Sequence, residues 1–330
     1  MLIISFFVSC ETDFEVNDEW KEIGVVYCLL DKEDSFQYVR LQKAYLNTNT
    51  NAYQLAQLND SIYYTQEVKV QLIHERLKDT INLEPYSIEN KADGVFSSTP
   101  YFVYRTPPGL QLQKNNIYIL RVKNTETGYE LTASAPVIEQ GNVTDPTAKT
   151  TSLAYCSSLG EFRNYIKRRE MTINSGRGVK FYDMSILFHY GVIDSNNITD
   201  TTWESIEWEI GKMVSLSSTK GSLPAQLTYS GEDFFRFIGR QMKPQPAGKA
   251  IVPGFLEYLY MAGGQDIFDY INVNRPSNGI VQKNPEYTNV TNGLGIFSSR
   301  TDIRRRVGLD GCTIDRLAVD PFTSHLGFVR

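Results

Sequence analysis

Ile117-Tyr118-Ile119-Leu120-Arg121-Val122, then Asn124-Thr125-Glu126-Thr127-Gly128, then Tyr129-Glu130-Leu131-Thr132-Ala133 reads as a β-hairpin. Two apolar, β-forming runs flank a short polar loop, and Gly128 supplies the positive φ that such loops commonly need. Just upstream, Tyr101-Phe102-Val103-Tyr104-Arg105-Thr106 ends at Pro107-Pro108-Gly109, a strand stop. Residues 67–77 alternate, with Val68, Val70, Leu72 and His74 facing one way and Lys69, Gln71, Ile73 and Glu75 the other. Residues 23–30 are apolar and β-branched, and 36–46 alternate loosely; the Asn- and Gln-rich stretch 47–60 between these strands reads as a long loop. Short strands, close turns and almost no helical period predict a β-sandwich over residues 23–138.

The polar stretch 139–152 lacks aromatics and reads as a linker. A second β-rich unit is predicted over 153–330, with strands at 153–156, 179–192, 203–216, 255–262, 267–273, 279–282, 286–290 and 317–328. Asn174-Ser175-Gly176-Arg177-Gly178 reads as a turn, and Trp203, Ile206, Trp208, Ile210 and Met213 as the apolar members of their strand. One helix is expected near 231–243. Ser230 is placed as its N-cap with Asp233 at N3, while Phe234, Phe237, Ile238 and Met242 share a face. Gly239 weakens that helix and Pro244 stops it. The fold class expected is therefore mostly β: two β-sandwich (Ig-like) domains, the second with one short helix.

Composition agrees. The chain has 330 residues, a length that suggests two domains, and 20 Tyr and 17 Phe against 3 Trp tilt it toward pleated, half-buried surfaces. The net charge is −5, and the dense basic spots Lys167-Arg168-Arg169 and Arg304-Arg305-Arg306 are short, with acidic neighbours. A nucleic-acid partner is not expected from such a surface.

The first ten residues read MLIISFFVSC. Phe7-Val8-Ser9-Cys10 resembles the end of a bacterial lipoprotein signal peptide, in which a small residue precedes an obligatory Cys that becomes the lipidated N-terminus. Phe7 stands where Leu is usual, and no basic n-region precedes the apolar run. That run is too short to cross a bilayer as a helix. Residues 1–10 are accordingly assigned to a signal-peptide remnant with Cys10 as the lipidation site. The acidic stretch 11–22 is assigned to a tether. The other cysteines, Cys28, Cys156 and Cys312, are odd in number and far apart, with no CxxC pair, and are expected to be free and buried in strands.

Near the C-terminus, Phe268-Asp269-Tyr270-Ile271-Asn272-Val273 precedes Asn284-Pro285-Glu286-Tyr287-Thr288-Asn289-Val290-Thr291-Asn292-Gly293-Leu294-Gly295-Ile296-Phe297-Ser298-Ser299. This text resembles the closing signature of a group of Bacteroidetes outer-membrane lipoproteins, the family known as domain of unknown function 4249. Tyr101 to Thr106 and Leu120-Arg121-Val122 are similar to its middle region. The resemblance implies an outer-membrane lipoprotein, often encoded beside TonB-dependent receptors, and brings no catalytic residue with it. It also implies export to the outer face through Glu11, Asp13 and Glu15, and O-glycosylation of Asp-Ser/Thr triplets at Ser61, Thr80 and Thr201. In physical terms, Asn292-Gly293 and Gly295 permit positive φ and close backbone approach, letting a strand turn sharply into Ile296-Phe297.

No catalytic residue, cofactor site or metal site is predicted. His74, His189 and His325 lie apart, and His74 and His189 read as core or edge histidines. Asp194 to Asp200 begins like a calcium loop but has Ile198 at the fifth position and no Gly at the sixth. Glu204, Glu207 and Glu209 beside Trp203 and Trp208 read as a solvated strand face with Trp in the core. The expectation is a non-catalytic envelope lipoprotein, held in the outer membrane by its acyl chains. It would be surface-exposed and act as a binding or accessory component beside a TonB-dependent receptor, with an apolar or aromatic patch on one sandwich face. The alternative is a glycan-binding β-sandwich, which requires exposed, coplanar aromatic side chains.

Overall fold

The computed structural model describes residues 22–44, 62–64, 67–88, 101–157, 164–194, 197–214, 224–274 and 286–330. Cys10, Ser61, the excursion 47–60 and the strand expected at 279–282 lie outside them. The protein is mostly β, as expected. Its N-terminal part comprises β1 (Gly24–Asp31), β2 (Tyr38–Lys43), β3 (Val68–His74), β4 (Thr80–Ile88), β5 (Tyr101–Arg105), β6 (Ile117–Asn124) and β7 (Glu130–Pro136). The hairpin forms as read: β6 pairs with β7 from Ile117↔Pro136 to Lys123↔Glu130, and Gly128 has φ +75°. Asn124 Oδ1 accepts the Glu126 N–H at 2.9 Å, which tightens the loop.

Alternation decides the packing. Val26, Cys28 and Leu30 from β1, Val39 and Leu41 from β2, Val70 and Leu72 from β3, and Tyr118, Leu120 and Val122 from β6 all enter one buried core. β1 and β2 lie across from β3, β6 and β7, giving a two-layered sandwich whose outer residues face away.

The C-terminal part holds β8 (Asn142–Asp145), β9 (Ser152–Leu153), β10 (Arg169–Asn174), β11 (Phe181–Asp194), β12 (Asn197–Val214), β13 (Pro224–Tyr229), α1 (Gly231–Gln241), β14 (Lys249–Gly263), α2 (Gln265–Val273), β15 (Val290–Thr291), β16 (Gly293–Leu309) and α3 (Gly311–Val319). Strands β12, β11, β14 and β16 form a long sheet, and β13, β10 and β8 a small one. Between them, Met184, Ile186 and Phe188 of β11 pack with Met171, Tyr229, Phe234, Tyr258 and Leu317. Three buried tyrosine hydroxyls meet there: Tyr258 Oη lies 2.7 Å from Tyr155 Oη and 2.8 Å from Tyr229 Oη, so each buried hydroxyl has a partner.

The two parts share a strand. β16 pairs in parallel with β1 from Gly24↔Gly293 to Asp31↔Arg300, and its later residues pair antiparallel with β14. The Asn-Gly-x-Gly text makes this join. Asn292 has φ +56° and Gly295 φ +103°, and a Cβ on Gly295 would sit 1.9 Å from the Val26 carbonyl oxygen. Close backbone approach is therefore what the glycine serves.

α1 carries the expected capping box, with Ser230 Oγ accepting the Asp233 N–H at 3.1 Å and Asp233 Oδ2 accepting the Ser230 N–H at 2.9 Å. Gly239 has a packing reason: a Cβ there would lie 2.1 Å from the Phe322 carbonyl oxygen. Several expectations are corrected. Among the described residues, three helices stand where one was expected, and of the strand expected at 286–290 only Val290–Thr291 forms, paired with β7. Residues 267–273 form α2, not a strand, because Ile267, Tyr270 and Ile271 fall at helical spacing and Gln265 Nε2 bonds the Asp269 carboxylate across one turn at 2.8 Å. Residues 317–328 likewise contain no long strand. α3 starts upstream at the N-cap Asp310, whose Oδ1 accepts the Thr313 N–H at 3.0 Å, and a 3-10 turn follows at Ser324–Leu326. Within 139–152, residues 142–145 are β8, hydrogen-bonded to β10. Finally, Cys156 and Cys312 form a disulfide; only Cys28 among the described cysteines is free, buried in β1.

Candidate functional site

Among the described residues, no second sheet covers the outer face of β1, β2, β5 and β4. With Val26, Cys28 and Leu30 turned inward, period-2 geometry turns Tyr27 and Leu29 outward; on β2, Val39 and Leu41 inward place Tyr38 and Arg40 outward. Tyr27 is 36% exposed, Tyr38 42% and Tyr86 of β4 39%.

Register and stacking join these residues into a ladder. Arg40 is opposite Tyr27, its guanidinium 5.7 Å from the ring centroid. Arg105, opposite Tyr38, lies 3.9 Å from the Tyr86 ring and 4.4 Å from the Phe36 ring. The Tyr38 and Tyr86 rings are 6.4 Å apart, tilted at 56°.

α2 supplies a wall. Its Ile267 N–H bonds Ser298 Oγ at 3.3 Å, which seats the helix over β16, and Tyr270 meets Tyr27 edge-on with ring centroids 6.4 Å apart. Between helix and sheet lies an apolar cleft of 320 Å³, lined by Tyr27, Leu29, Tyr38, Ile267, Tyr270 and Ile271. A more polar depression of 350 Å³, with Arg40 and Lys43, lies on the other side of Tyr27. Burial and the neighbouring Tyr27 hydroxyl hold the Tyr270 hydroxyl above its ordinary value. At the end of β1, Asp31 is buried, and that burial pushes its carboxyl up to about 6 against the lowering pull of the Glu33 N–H. Behind the cleft, burial pushes the Cys28 thiol up to about 12, so it is a packed thiol and not a nucleophile at neutral pH.

Tyrosine and arginine, large and partly desolvated around a small apolar cleft, are the residue types that anchor macromolecular interfaces. The chemistry on offer is contact: stacking, cation–π attraction and hydrogen bonds from phenol and guanidinium groups.

The sequence-predicted residues fall elsewhere. Thr80 opens β4 and is exposed; Thr201 is half-buried in β12 with its methyl group toward Gly191. His74 is buried, its Nδ1 accepting the Leu77 N–H at 3.2 Å. His189 stacks on Phe255 at 4.3 Å. The β12 glutamates separate: Glu204 accepts from Tyr190 on the inner side at 2.7 Å, and Glu207 from Ser185 on the other at 2.6 Å. Trp208 packs on Phe237 as a core residue, but Trp203 is solvent-exposed, which corrects the expectation that both belong to the core. Among the described residues, no three His, Cys, Asp or Glu side chains gather where a metal ion could sit. The ladder itself was missed by sequence reasoning, although Tyr38-Val39-Arg40-Leu41 displays the alternation that builds it.

No family model matches the chain, and no curated protein matches it.

Proposed function

We propose that the protein is a non-catalytic lipoprotein of the bacterial outer membrane, anchored through Cys10, which binds a TonB-dependent receptor through the Tyr27–Tyr38–Tyr86 face and the cleft beside it. The exposed tyrosine–arginine ladder carries this reading. It offers stacking, cation–π contact and hydrogen bonds from phenol and guanidinium groups on one face. Two further features support the address. A disulfide between Cys156 and Cys312 suits an oxidising compartment outside the cytoplasm. No described helix is long and apolar enough to cross a membrane; the proposed anchor is acylation of Cys10. Residues 11–22 span at most roughly 40 Å when extended, enough to hold the sandwich beside a membrane-embedded partner.

Outer membranes solubilised in mild detergent test the partner. The wild-type protein is expected to co-purify with a TonB-dependent receptor. Tyr27→Ala combined with Tyr38→Ala is expected to stay in the membrane fraction and to recover about tenfold less receptor, the loss of two interface anchors. Equal recovery by the double variant refutes the face as the binding surface.

A further inference from the structure

Among the described residues, the long C-terminal sheet also has a face with no second sheet over it, and its most exposed large aromatic is Trp203, at 59%. Where Trp203 stands opposite Gly191 on β11, neither that glycine nor Gly254 on β14 puts a side chain under the ring. A Cβ on Gly254 would meet the indole Cζ3 at 2.7 Å, and one on Gly191 its Cη2 at 3.9 Å. The indole thus reaches across β11 toward β14 over Gly254 and beside the Thr201 and Val252 methyl groups, which crowd Gly191 at 2.6 and 2.8 Å from an added Cβ, and it stays largely open to solvent.

Beside it the chemistry changes to charge and stacked rings. Phe255, next in the chain to Gly254, is covered by the Arg306 guanidinium at 3.6 Å from its centroid. One row further, Glu257 is opposite Arg306, with its Oε2 3.4 Å from Arg304 Nη1. The exposed indole therefore shares its face of the sheet with Phe255, held between His189 and Arg306, and with the Glu257 carboxylate, which lies 3.7 Å from His189 Nε2 and 3.4 Å from Arg304 Nη1.

We propose that this face binds carbohydrate, specifically an extended chain of β-linked pyranose rings with equatorial hydroxyls. Such a ring presents an apolar plane of axial C–H groups, which stacks on the open face of Trp203. Its hydroxyls project sideways, where Glu257 accepts their protons in hydrogen bonds and Arg304 and Arg306 donate to their oxygens. A straight chain of such rings matches a flat sheet face, whereas α-linked glucans coil away from it. The site is separate from the tyrosine ladder, so its test is independent of the proposed receptor contact.

Native affinity electrophoresis of the full chain, in gels containing hydroxyethyl cellulose or soluble starch, is the test, alongside tryptophan fluorescence on titration with cellohexaose. The wild type is expected to be retarded by hydroxyethyl cellulose and not by starch, with a blue shift in emission. Trp203→Ala is expected to lose affinity by about tenfold and to lose the shift, while Trp203→Phe retains part of the retardation. Tyr27→Ala with Tyr38→Ala is expected to bind the polymer as the wild type does. Retardation of Trp203→Ala equal to the wild type overturns the proposal, as does a wild type retarded by neither polymer or by starch as strongly as by hydroxyethyl cellulose.

Discussion

Replacing both Cys156 and Cys312 by Ser is expected to lower the unfolding free energy by about 2–5 kcal/mol. The bond closes 156 residues of chain, so chain-entropy reasoning places the effect near the upper end of that range. It also ties the segment before β10 to α3, which the Tyr165 hydroxyl joins as well through its 2.8 Å bond to Asp320 Oδ2. Cys156 is buried in a short bridge with Tyr165, and Cys312 lies in the first turn of α3. Next to the bond, the Tyr155 N–H donates to Thr313 Oγ1 at 2.8 Å, so losing the bond also loosens a buried hydrogen bond beside the tyrosine cluster. Urea unfolding with and without reductant checks this. The reduced wild type should fall to the level of the double variant, and reductant should leave the variant unchanged. A wild type whose midpoint ignores reductant contradicts the pairing.

Gly295→Ala is the second large effect, with an expected loss of about 3 kcal/mol or more. At φ +103° an L side chain is strained, and the added Cβ would fall 1.9 Å from the Val26 carbonyl oxygen. Neither partner can move cheaply, because Val26↔Gly295 lies inside the parallel β1–β16 pairing. Gly109→Ala is the control. Its φ of +83° is similarly unfavourable, but nothing lies within 4 Å of the added Cβ, so only about 1 kcal/mol is expected. Equal urea midpoints for the two variants would show that the close approach of β1 and β16 contributes nothing.

The elements legible in the sequence were those with local signals. The hairpin around Gly128 announced itself by two apolar runs and a loop, and α1 by its capping box and apolar face. α2 was hidden because Ile267, Phe268, Tyr270, Ile271 and Val273 favour strands, and its seat on Ser298 of β16 overrides that local preference. Pairings distant in sequence were equally hidden. Setting Cys10 aside left three cysteines, an odd number that argued against a bond, and β8 became a strand only because β10 lay ready to pair with it. The tyrosine ladder was half legible. Alternation shows that Tyr38 and Arg40 share a face, but only the fold shows that Tyr27, Tyr86 and Arg105 join them there.

Anchoring through Cys10 is the claim on which the proposed function turns, and metabolic labelling with an alkyne fatty acid, followed by membrane fractionation, measures it most directly. Label is expected on the wild-type protein in the outer-membrane fraction, and an unlabelled Cys10→Ala form released from that fraction. A wild type that takes up no label and partitions as Cys10→Ala does would contradict that anchoring.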